Sequence, residues 1–163
     1  MAFLIDGFNL IYKFPDLERM MYQNRLSDAR RGLLTKLKEY QSITKAKITV
    51  VFDGKKDVSL EINKEKVQSI DVYYSLDYSA DFIIKQFVKK DINPRMTTVV
   101  TSDKDIIDFV FRFKAKVKTS EEFFKQYNET IESYLNIIEP EKDENLNLSE
   151  EEIYYWEEQF KKK

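Results

Sequence analysis

The chain of 163 residues contains neither cysteine nor histidine. Without cysteine, disulfides, zinc-thiolate sites and cysteine nucleophiles are excluded, which is compatible with a reducing compartment. Without histidine, the Ser/His/Asp triad, His-based metal clusters and the paired-histidine mechanism of metal-free hydrolases are excluded as well. Any hydrolysis by this chain must therefore depend on carboxylates and a metal ion.

Long hydrophobic runs are also missing. No apolar run approaches the roughly 18 residues that span a bilayer, and the start MAFLIDGFN turns acidic too soon for a signal peptide. The net charge is −2, so a nucleic-acid partner would need a local basic surface. The apolar fraction of 42%, with 12 Phe and 10 Tyr, predicts a chain that folds by itself. We predict a cytoplasmic protein with no membrane partner.

Three short apolar runs each lead to an acidic residue. The runs are AFLID at 2–6, ITVVFDG at 48–54 and TTVVTSD at 97–103. Their apolar, mostly β-branched and aromatic residues are typical of buried parallel strands, which would deliver Asp6, Asp53 and Asp103 at their carboxyl ends. Ligands of parallel sheets bind beyond the carboxyl ends of the strands. We therefore expect these three aspartates to share a site.

Helical patterns occupy the stretches between these runs. Apolar residues recur with helical spacing over 27–40 and in segments that follow Ser79, Asp103 and Ser120. The helix after Ser79 is expected to bury an apolar face formed by Phe82, Ile83, Phe87 and Val88. Strands that alternate with helices imply parallel neighbours joined by crossover connections. We predict an α/β fold, a three-layer sandwich around a central, mainly parallel sheet.

The remaining segments are less regular. The stretch around Pro15 is predicted to be a loop. Residues 55–66, KKDVSLEINKEK, are predicted to form a polar, lysine-rich loop before a strand at about 67–74. A further short strand is expected near 115–118.

The chain is predicted to have three parts. Residues 1–138 form one folded domain, in keeping with the usual size of single domains. Residues 139–148, EPEKDENLNL, are charged and contain proline, which is typical of a linker. Residues 149–163 are predicted to form an amphipathic helix that begins with a capping box of Ser149 and Glu152.

A fourth aspartate, Asp81, falls in the first turn of the helix that Ser79 would cap. Divalent ions can activate water for phosphodiester hydrolysis, and carboxylate oxygens suit Mg²⁺ or Mn²⁺. Several like charges in one small site repel one another and so favour a bound cation. The predicted ligands of this ion are Asp6, Asp53, Asp81 and Asp103. Asn9 would hold a water or a phosphate oxygen, and Asp105 and Asp108 are second choices.

Four motifs together resemble a known family. They are L-I-D-G-F-N-L-I at 4–11, V-V-F-D-G at 50–54, S-A-D at 79–81 and T-S-D-K-D at 101–105. The pattern is similar to the NYN branch of PIN-like nucleases, and within it to the YacP-like group. The resemblance also covers the helix at 27–41 and extends in order from about residue 3 to 127.

The resemblance implies a PIN-like fold and a metal-dependent endoribonuclease that cleaves single-stranded RNA or messenger RNA. Because the YacP-like group includes a ribosome-associated endoribonuclease, it also implies the ribosome as a partner. It carries over as catalytic residues Asp6, Asn9, Asp81 and Asp103. Its metal ligands would be Asp6, Asp53, Asp81 and Asp103, with Asp105 as a further candidate. The sequence departs from the group in the acidic K-D-I-I-D after Asp103 and in the tail helix.

RNA contacts have several candidates. Basic residues that could bind phosphates are Arg30, Arg31, Lys36 and Lys38 on one helix face, and Lys55, Lys56, Lys64 and Lys66 after the second strand. For each residue of the first group, however, a solvated helix face is the favoured explanation. Phe8, Tyr12 and Phe14 could stack on bases, although core packing explains them about as well.

Other functions are also compatible with parts of the pattern. Each aspartate taken alone is most often a turn or cap residue. A phosphatase of the haloacid dehalogenase type would need an acid two residues after its nucleophilic aspartate, where this chain has Phe8. The alternative from another class is a noncatalytic RNA- or ribosome-binding module that kept the acids for folding.

Overall fold

The computed structural model describes residues 1–54, 64–67 and 69–138, together with residues 155, 158 and 159. Within these residues the strands are β1 Ala2–Asp6, β2 Lys47–Phe52, β3 Lys64–Val67, β4 Ile70–Tyr74, β5 Thr97–Val100 and β6 Lys116–Lys118. They form one sheet in the order β3-β4-β2-β1-β5-β6. Neighbouring strands are parallel except for β3 and β4, which are antiparallel. The predicted mainly parallel sheet is confirmed.

The helices connect these strands on both faces of the sheet. They are α1 Gly7–Ile11, α2 Pro15–Tyr22, α3 Leu26–Thr44, α4 Ala80–Lys90, α5 Lys104–Arg112 and α6 Ser120–Ile138, with a short 3₁₀ turn at Pro94–Met96. Successive side chains of a strand point to opposite faces. In β1, Phe3 and Ile5 therefore pack in a core with α1, α2, α3 and α6, whereas Leu4 packs in a second core with α4 and α5. This confirms the predicted three-layer α/β sandwich.

One segment predicted to be a loop is a helix. The chain around Pro15 forms α2, and Pro15 itself is its first residue. Proline suits that position because its fixed φ fits the helix and its missing N–H would have no partner there. The loop prediction was wrong because it took Pro15 as a helix breaker when it marks a helix start.

The segment before β4 also differs from expectation. A single strand was predicted at about 67–74, but β3 and β4 form an antiparallel pair in which Lys64 lies opposite Tyr73. The loop prediction for 64–66 was wrong, because alternating charges are also common in an edge strand, where they discourage pairing with other chains. Residues 55–63 lie outside the described residues.

The predicted linker at 139–148 lies outside the described residues, as does most of the tail at 149–163. Residues 155, 158 and 159 have helical backbone. The division of the chain into three parts stays a prediction. Among the residues described, no helix is both long and apolar enough to cross a membrane.

Gly7 allows α1 to lie close to β2 directly after the last residue of β1. A Cβ atom at Gly7 would stand 2.5 Å from Phe52 Cδ1 and 3.1 Å from Val50 Cγ1. Both neighbours are fully buried, so neither can move away at low cost. The close approach sets where the chain turns after Asp6.

We expect Gly7→Ala to lower the free energy of unfolding by about 1–3 kcal/mol, because the added methyl group overpacks a tight contact. Helix propensity alone would favour alanine by up to about 1 kcal/mol, so a loss identifies the clash. Urea unfolding measures the change, with Glu132→Ala on the exposed face of α6 as a control expected to stay within about 0.5 kcal/mol of the original chain. An unchanged stability of Gly7→Ala would show that α1 can move away from β2 freely.

Candidate active site at the carboxyl ends of the strands

An open cleft of about 410 Å³ lies at the carboxyl ends of β1, β2 and β5. Four of the aspartates predicted from the sequence line it: Asp6, Asp53, Asp81 and Asp103. Asn9 and Tyr12 of the loop-and-helix segment after β1 line it too. The structure thus brings together residues that lie up to 97 positions apart, as the parallel arrangement of the strands requires.

Asp6 is an acid of the cleft that is largely buried. The pKa of Asp6 is raised from its ordinary 3.8 to about 6, mainly by burial and in addition by the negative charges of Asp103 and Asp53. Hydrogen bonds oppose this effect, since Thr101 Oγ donates to Asp6 Oδ2 at 3.0 Å and the backbone N–H of Asn9 also donates to the carboxylate. Asp53 and Asp103 are therefore close enough to Asp6 for their charges to act on its pKa.

Asp53 links β2 to the next strand and helix. Its Oδ1 accepts hydrogen bonds from Ser75 Oγ at 3.0 Å and from the backbone N–H of Ala80 at 3.3 Å. The backbone N–H of Gly54 donates to Ser75 Oγ at 2.8 Å. Gly54 has φ +100°, a conformation that glycine adopts without strain. One oxygen of Asp53 thus fixes the start of α4 at the cleft.

Asp103 has a structural role as well as a place in the cleft. It is the N-cap of α5, and its Oδ1 accepts hydrogen bonds from the backbone N–H groups of Asp105 at 2.9 Å and Ile106 at 3.4 Å. A cap uses one carboxylate oxygen. Asp103 is therefore a helix cap, as its simplest interpretation had it. Its other carboxylate oxygen is left for a second role, as a ligand of a metal ion.

Asp81 and Asp105 lie on either side of Lys85. Lys85 Nζ is 2.9 Å from Asp81 Oδ1 and 2.7 Å from Asp105 Oδ2. The hydrogen bonds to Asp105 and Asp81 raise the pKa of Lys85, and the same lysine lowers the pKa of Asp105. The side chain of Asp105 is 74% exposed and does not line the cleft. Its position therefore does not support the prediction that it shares a metal ion, and the exposed Asp108 does not line the cleft either.

The side chain of Asn9 joins two other elements. Its Oδ1 accepts hydrogen bonds from the backbone N–H of Ser102 at 2.8 Å and from Ser120 Oγ at 2.6 Å. Because the oxygen is engaged in this way, the Nδ2 amide group is the part of Asn9 suited to a substrate, as a donor to a phosphate oxygen. Ser102 Oγ in turn donates to Glu121, which pairs with Lys13.

The oxygen donors that line the cleft suit a hard divalent ion in their chemistry. Carboxylate oxygens are preferred by Mg²⁺ and Mn²⁺. The charges of Asp103 and Asp53, which add to the effect of burial on the pKa of Asp6, are a repulsion that a cation relieves. Across the part of the chain that the structure describes, no three acidic side chains stand close enough to surround one ion. Binding would therefore require side chains to turn towards a common point.

Arg30 is buried, although it was predicted to lie on an exposed helix face. It is only 6% exposed, and its guanidinium carbon lies 5.2 Å from the centre of the Phe8 ring and 5.9 Å from that of Phe52. The expectation that Arg30 belongs to an exposed basic face was wrong, because a guanidinium group is weakly hydrated and stacks on aromatic rings. Arg31 is exposed, as predicted.

The lysines proposed for RNA binding are less well placed or lie outside the described part. Lys36 pairs with Asp16 at 3.3 Å and lies over the ring of Phe14. The predicted contacts that fall outside the described residues are Lys55 and Lys56, and the side chains of Lys64 and Lys66 are not described either. Phosphate binding by these residues stays a prediction.

Aromatic residues near the cleft divide into buried and exposed groups. Phe14 is buried and packs edge-to-face on Phe124 and Tyr127, so core packing explains it. Tyr12 is exposed at the cleft. Phe82, expected on the buried face of α4, is exposed and stacks on Tyr78, a residue that sequence reasoning missed. The residues that α4 does bury, Ala80, Ile84 and Val88, form an alternative stripe at helical spacing, and spacing alone does not choose between the two stripes.

Comparison with known proteins relates the chain to one family. The sequence matches the model of the YacP-like NYN domain over residues 3–161. The protein YacP of Bacillus subtilis (strain 168) is 31% identical over 131 residues, which are 79% of this chain and 75% of that protein. A crystal structure of Rae1 (YacP) from Bacillus subtilis is similar with a TM-score of 0.68 and 26% identity, covering 99% of this chain and 95% of that one. A mutant of Rae1 (YacP) gives a TM-score of 0.66 at 25% identity, covering 82% and 77% of the two chains.

The raised pKa of Asp6 predicts a stability effect with a definite sign. The folded state binds the Asp6 proton more tightly than the unfolded state does, so stability falls as the pH rises from about 4 to above 6. In EDTA, Asp6→Asn should therefore raise the free energy of unfolding by about 3 kcal/mol at about pH 8. The gain should shrink to a few tenths of a kcal/mol or less at about pH 3, where the carboxyl group is mostly neutral in both states. Urea unfolding at both pH values measures this, and equal stabilities at the higher pH would contradict it.

Proposed function

Because the chain belongs to the YacP-like NYN domain family, as its motifs predicted, we propose that it is a metal-dependent endoribonuclease. The observation that carries the proposal is the cleft lined by four aspartates at the carboxyl ends of parallel strands. With no cysteine or histidine in the chain, these carboxylates are the groups available for phosphodiester hydrolysis.

The proposed ion is Mg²⁺ or Mn²⁺, held by Asp6, Asp53, Asp81 and Asp103. When bound, such an ion lowers the pKa of water and neutralises charge that develops on the phosphate. Asp6 must be ionised to act as a ligand, so binding of the ion and loss of the Asp6 proton are coupled. Asp81 reaches the cleft from the first turn of α4, where Lys85 orients its carboxylate.

Asn9 is the proposed substrate-positioning group. Ser102 and Ser120 hold its Oδ1, which fixes the plane of the side-chain amide beside Asp6 and Asp103. The Nδ2 group would then donate a hydrogen bond to a phosphate oxygen of the substrate. A fixed donor stabilises the transition state more than a mobile one does, because no free energy is lost in orienting it at each turnover.

The proposed substrate is single-stranded RNA, including messenger RNA on the ribosome, and the proposed compartment is the cytoplasm. The net charge of −2 gives little general attraction for RNA. An encounter guided by a larger partner such as the ribosome would compensate for that. The alternative is a noncatalytic RNA- or ribosome-binding module.

Cleavage of a labelled single-stranded RNA in Mn²⁺, Mg²⁺ or EDTA tests the proposal. We expect cutting with either metal and none in EDTA. The double variant Asp6→Asn, Asp81→Asn should lose about 100-fold or more of the rate, because two ligands lose their charge. Asp71→Asn is a matched control, since Asp71 lies in a separate cleft at the amino ends of the strands and should leave the rate unchanged.

The same assay should be repeated on ribosomes translating a messenger RNA. Cutting there but not on free RNA would identify the ribosome as the partner that delivers the substrate. If the wild-type chain cuts neither free RNA nor translated RNA, and still binds RNA in EDTA, the catalytic proposal fails and the binding module is the better description.

A further inference from the structure

Two exposed aromatic rings stack on each other beside the acidic cleft. The rings of Tyr78 and Phe82 have centroids 4.9 Å apart and planes inclined by 16°. Tyr78 is 64% exposed and Phe82 is 43% exposed. The residues between them in sequence that line the cleft are Ser79, Ala80 and Asp81, so the pair lies at the rim of the cleft.

The backbone on both sides of Tyr78 is held by hydrogen bonds. The N–H of Tyr78 donates to Ser75 O at 3.0 Å, and Ser79 Oγ accepts from the N–H of Phe82 at 3.1 Å. The N–H of Ala80 donates to Asp53 in the cleft. The stack is thus tied directly to the acidic site, and its position relative to the acids is set by the same residues that build the site.

Such a pair is suited to contact a flat apolar ligand. Tyrosine and phenylalanine present large surfaces with few rotatable bonds, so little conformational entropy is lost when a third ring stacks on them. Tyr78 is the more exposed of the two residues. Nucleobases stack on exposed aromatic rings in this way in proteins that bind single strands.

The charges around the cleft favour stacking over phosphate binding at this rim. The cleft itself is lined by acids, which repel phosphate groups. The cation adjoining Asp81 on α4, Lys85, is engaged by Asp81 and Asp105. A single strand held here would therefore gain more from its bases than from its backbone.

We propose that the stacked pair of Tyr78 and Phe82 is a nucleobase-binding subsite that holds one base of single-stranded RNA next to the acidic cleft. This inference rests on the proposed function, because the cleft defines where the scissile phosphate lies. A nucleobase is then the part of the substrate that is recognised outside the scissile phosphate. A base-paired strand cannot use such a subsite without unpairing, so the subsite also selects for single strands.

Fluorescence anisotropy in EDTA tests the subsite without any cleavage. The probes are a short labelled oligouridine and the same oligonucleotide with abasic positions. The original chain should bind the intact probe about 5- to 100-fold more tightly than the abasic one, as expected for stacking on one base. Tyr78→Ala and the double variant Tyr78→Ala, Phe82→Ala should reduce this preference to less than about twofold, while affinity for the abasic probe stays unchanged.

Two further variants serve as controls. Tyr78→Trp keeps an aromatic surface and should retain the preference for the intact probe. Tyr22→Ala removes a ring that is 77% exposed on α2, away from the cleft lining, and should change nothing. In Mn²⁺, the alanine variants at the stack should raise KM for the intact RNA with little change in kcat, since the subsite binds but does not react.

Failure of this inference can be told apart from failure of the proposed function. A preference for bases that Tyr78→Ala removes, in a chain that never cuts RNA, would support the subsite and overturn the nuclease. Cutting with an unchanged KM in the alanine variants would support the nuclease and overturn the subsite. No measurable binding of the intact probe, or an equal loss of affinity for both probes in Tyr78→Ala, would overturn the subsite.

Discussion

The strands β1, β2 and β5 lie together in the sheet, and an aspartate follows or closes each of them at its carboxyl end. The chain thereby holds several negative charges beside one another in a partly buried place. Asp6 is largely buried there, so its charged form is poorly solvated and its pKa rises, with the charges of Asp103 and Asp53 adding to the effect. The surrounding structure is arranged around this repulsion. Hydrogen-bond donors from the neighbouring strand, the neighbouring turn and the following helix reach the carboxylates and offset part of it.

These donors give each aspartate a structural role as well. Thr101 joins the end of β5 to Asp6, and Ser75 joins the end of β4 to Asp53, while Asp103 caps α5. A carboxylate has two oxygens, so one can hold the scaffold while the other faces the cleft. A structural role as a cap or turn residue is therefore compatible with a catalytic role for the same aspartate. Asparagine is the informative replacement at such positions, because it removes the charge and keeps an oxygen that accepts the structural hydrogen bond.

The same arrangement shapes how a polyanion could approach. Two lysines near the cleft are already engaged, since Lys85 pairs with two aspartates and Lys13 pairs with Glu121. Arg30 is buried against aromatic rings and contributes to packing instead of to an exposed basic surface. What the rim offers to a ligand is aromatic surface, at Tyr12 and at the Tyr78–Phe82 stack. Affinity for an RNA strand would thus come from its bases, with a metal ion or a larger partner compensating for the acidic cleft.

The sequence by itself determined the parallel strands at the centre of the sheet and the acids at their carboxyl ends. Apolar runs that end in Asp6, Asp53 and Asp103 could be read directly, because parallel strands must end at the same edge and period-two burial is a local property of the chain. The motifs likewise determined the family. Only the tertiary structure decided which helix faces are buried. It placed Arg30 inside, Phe82 outside, and Lys85 between Asp81 and Asp105 of two different helices. Those outcomes depend on how helices pack against the sheet and one another, and local periodicity does not contain that information when a helix has apolar residues on more than one side.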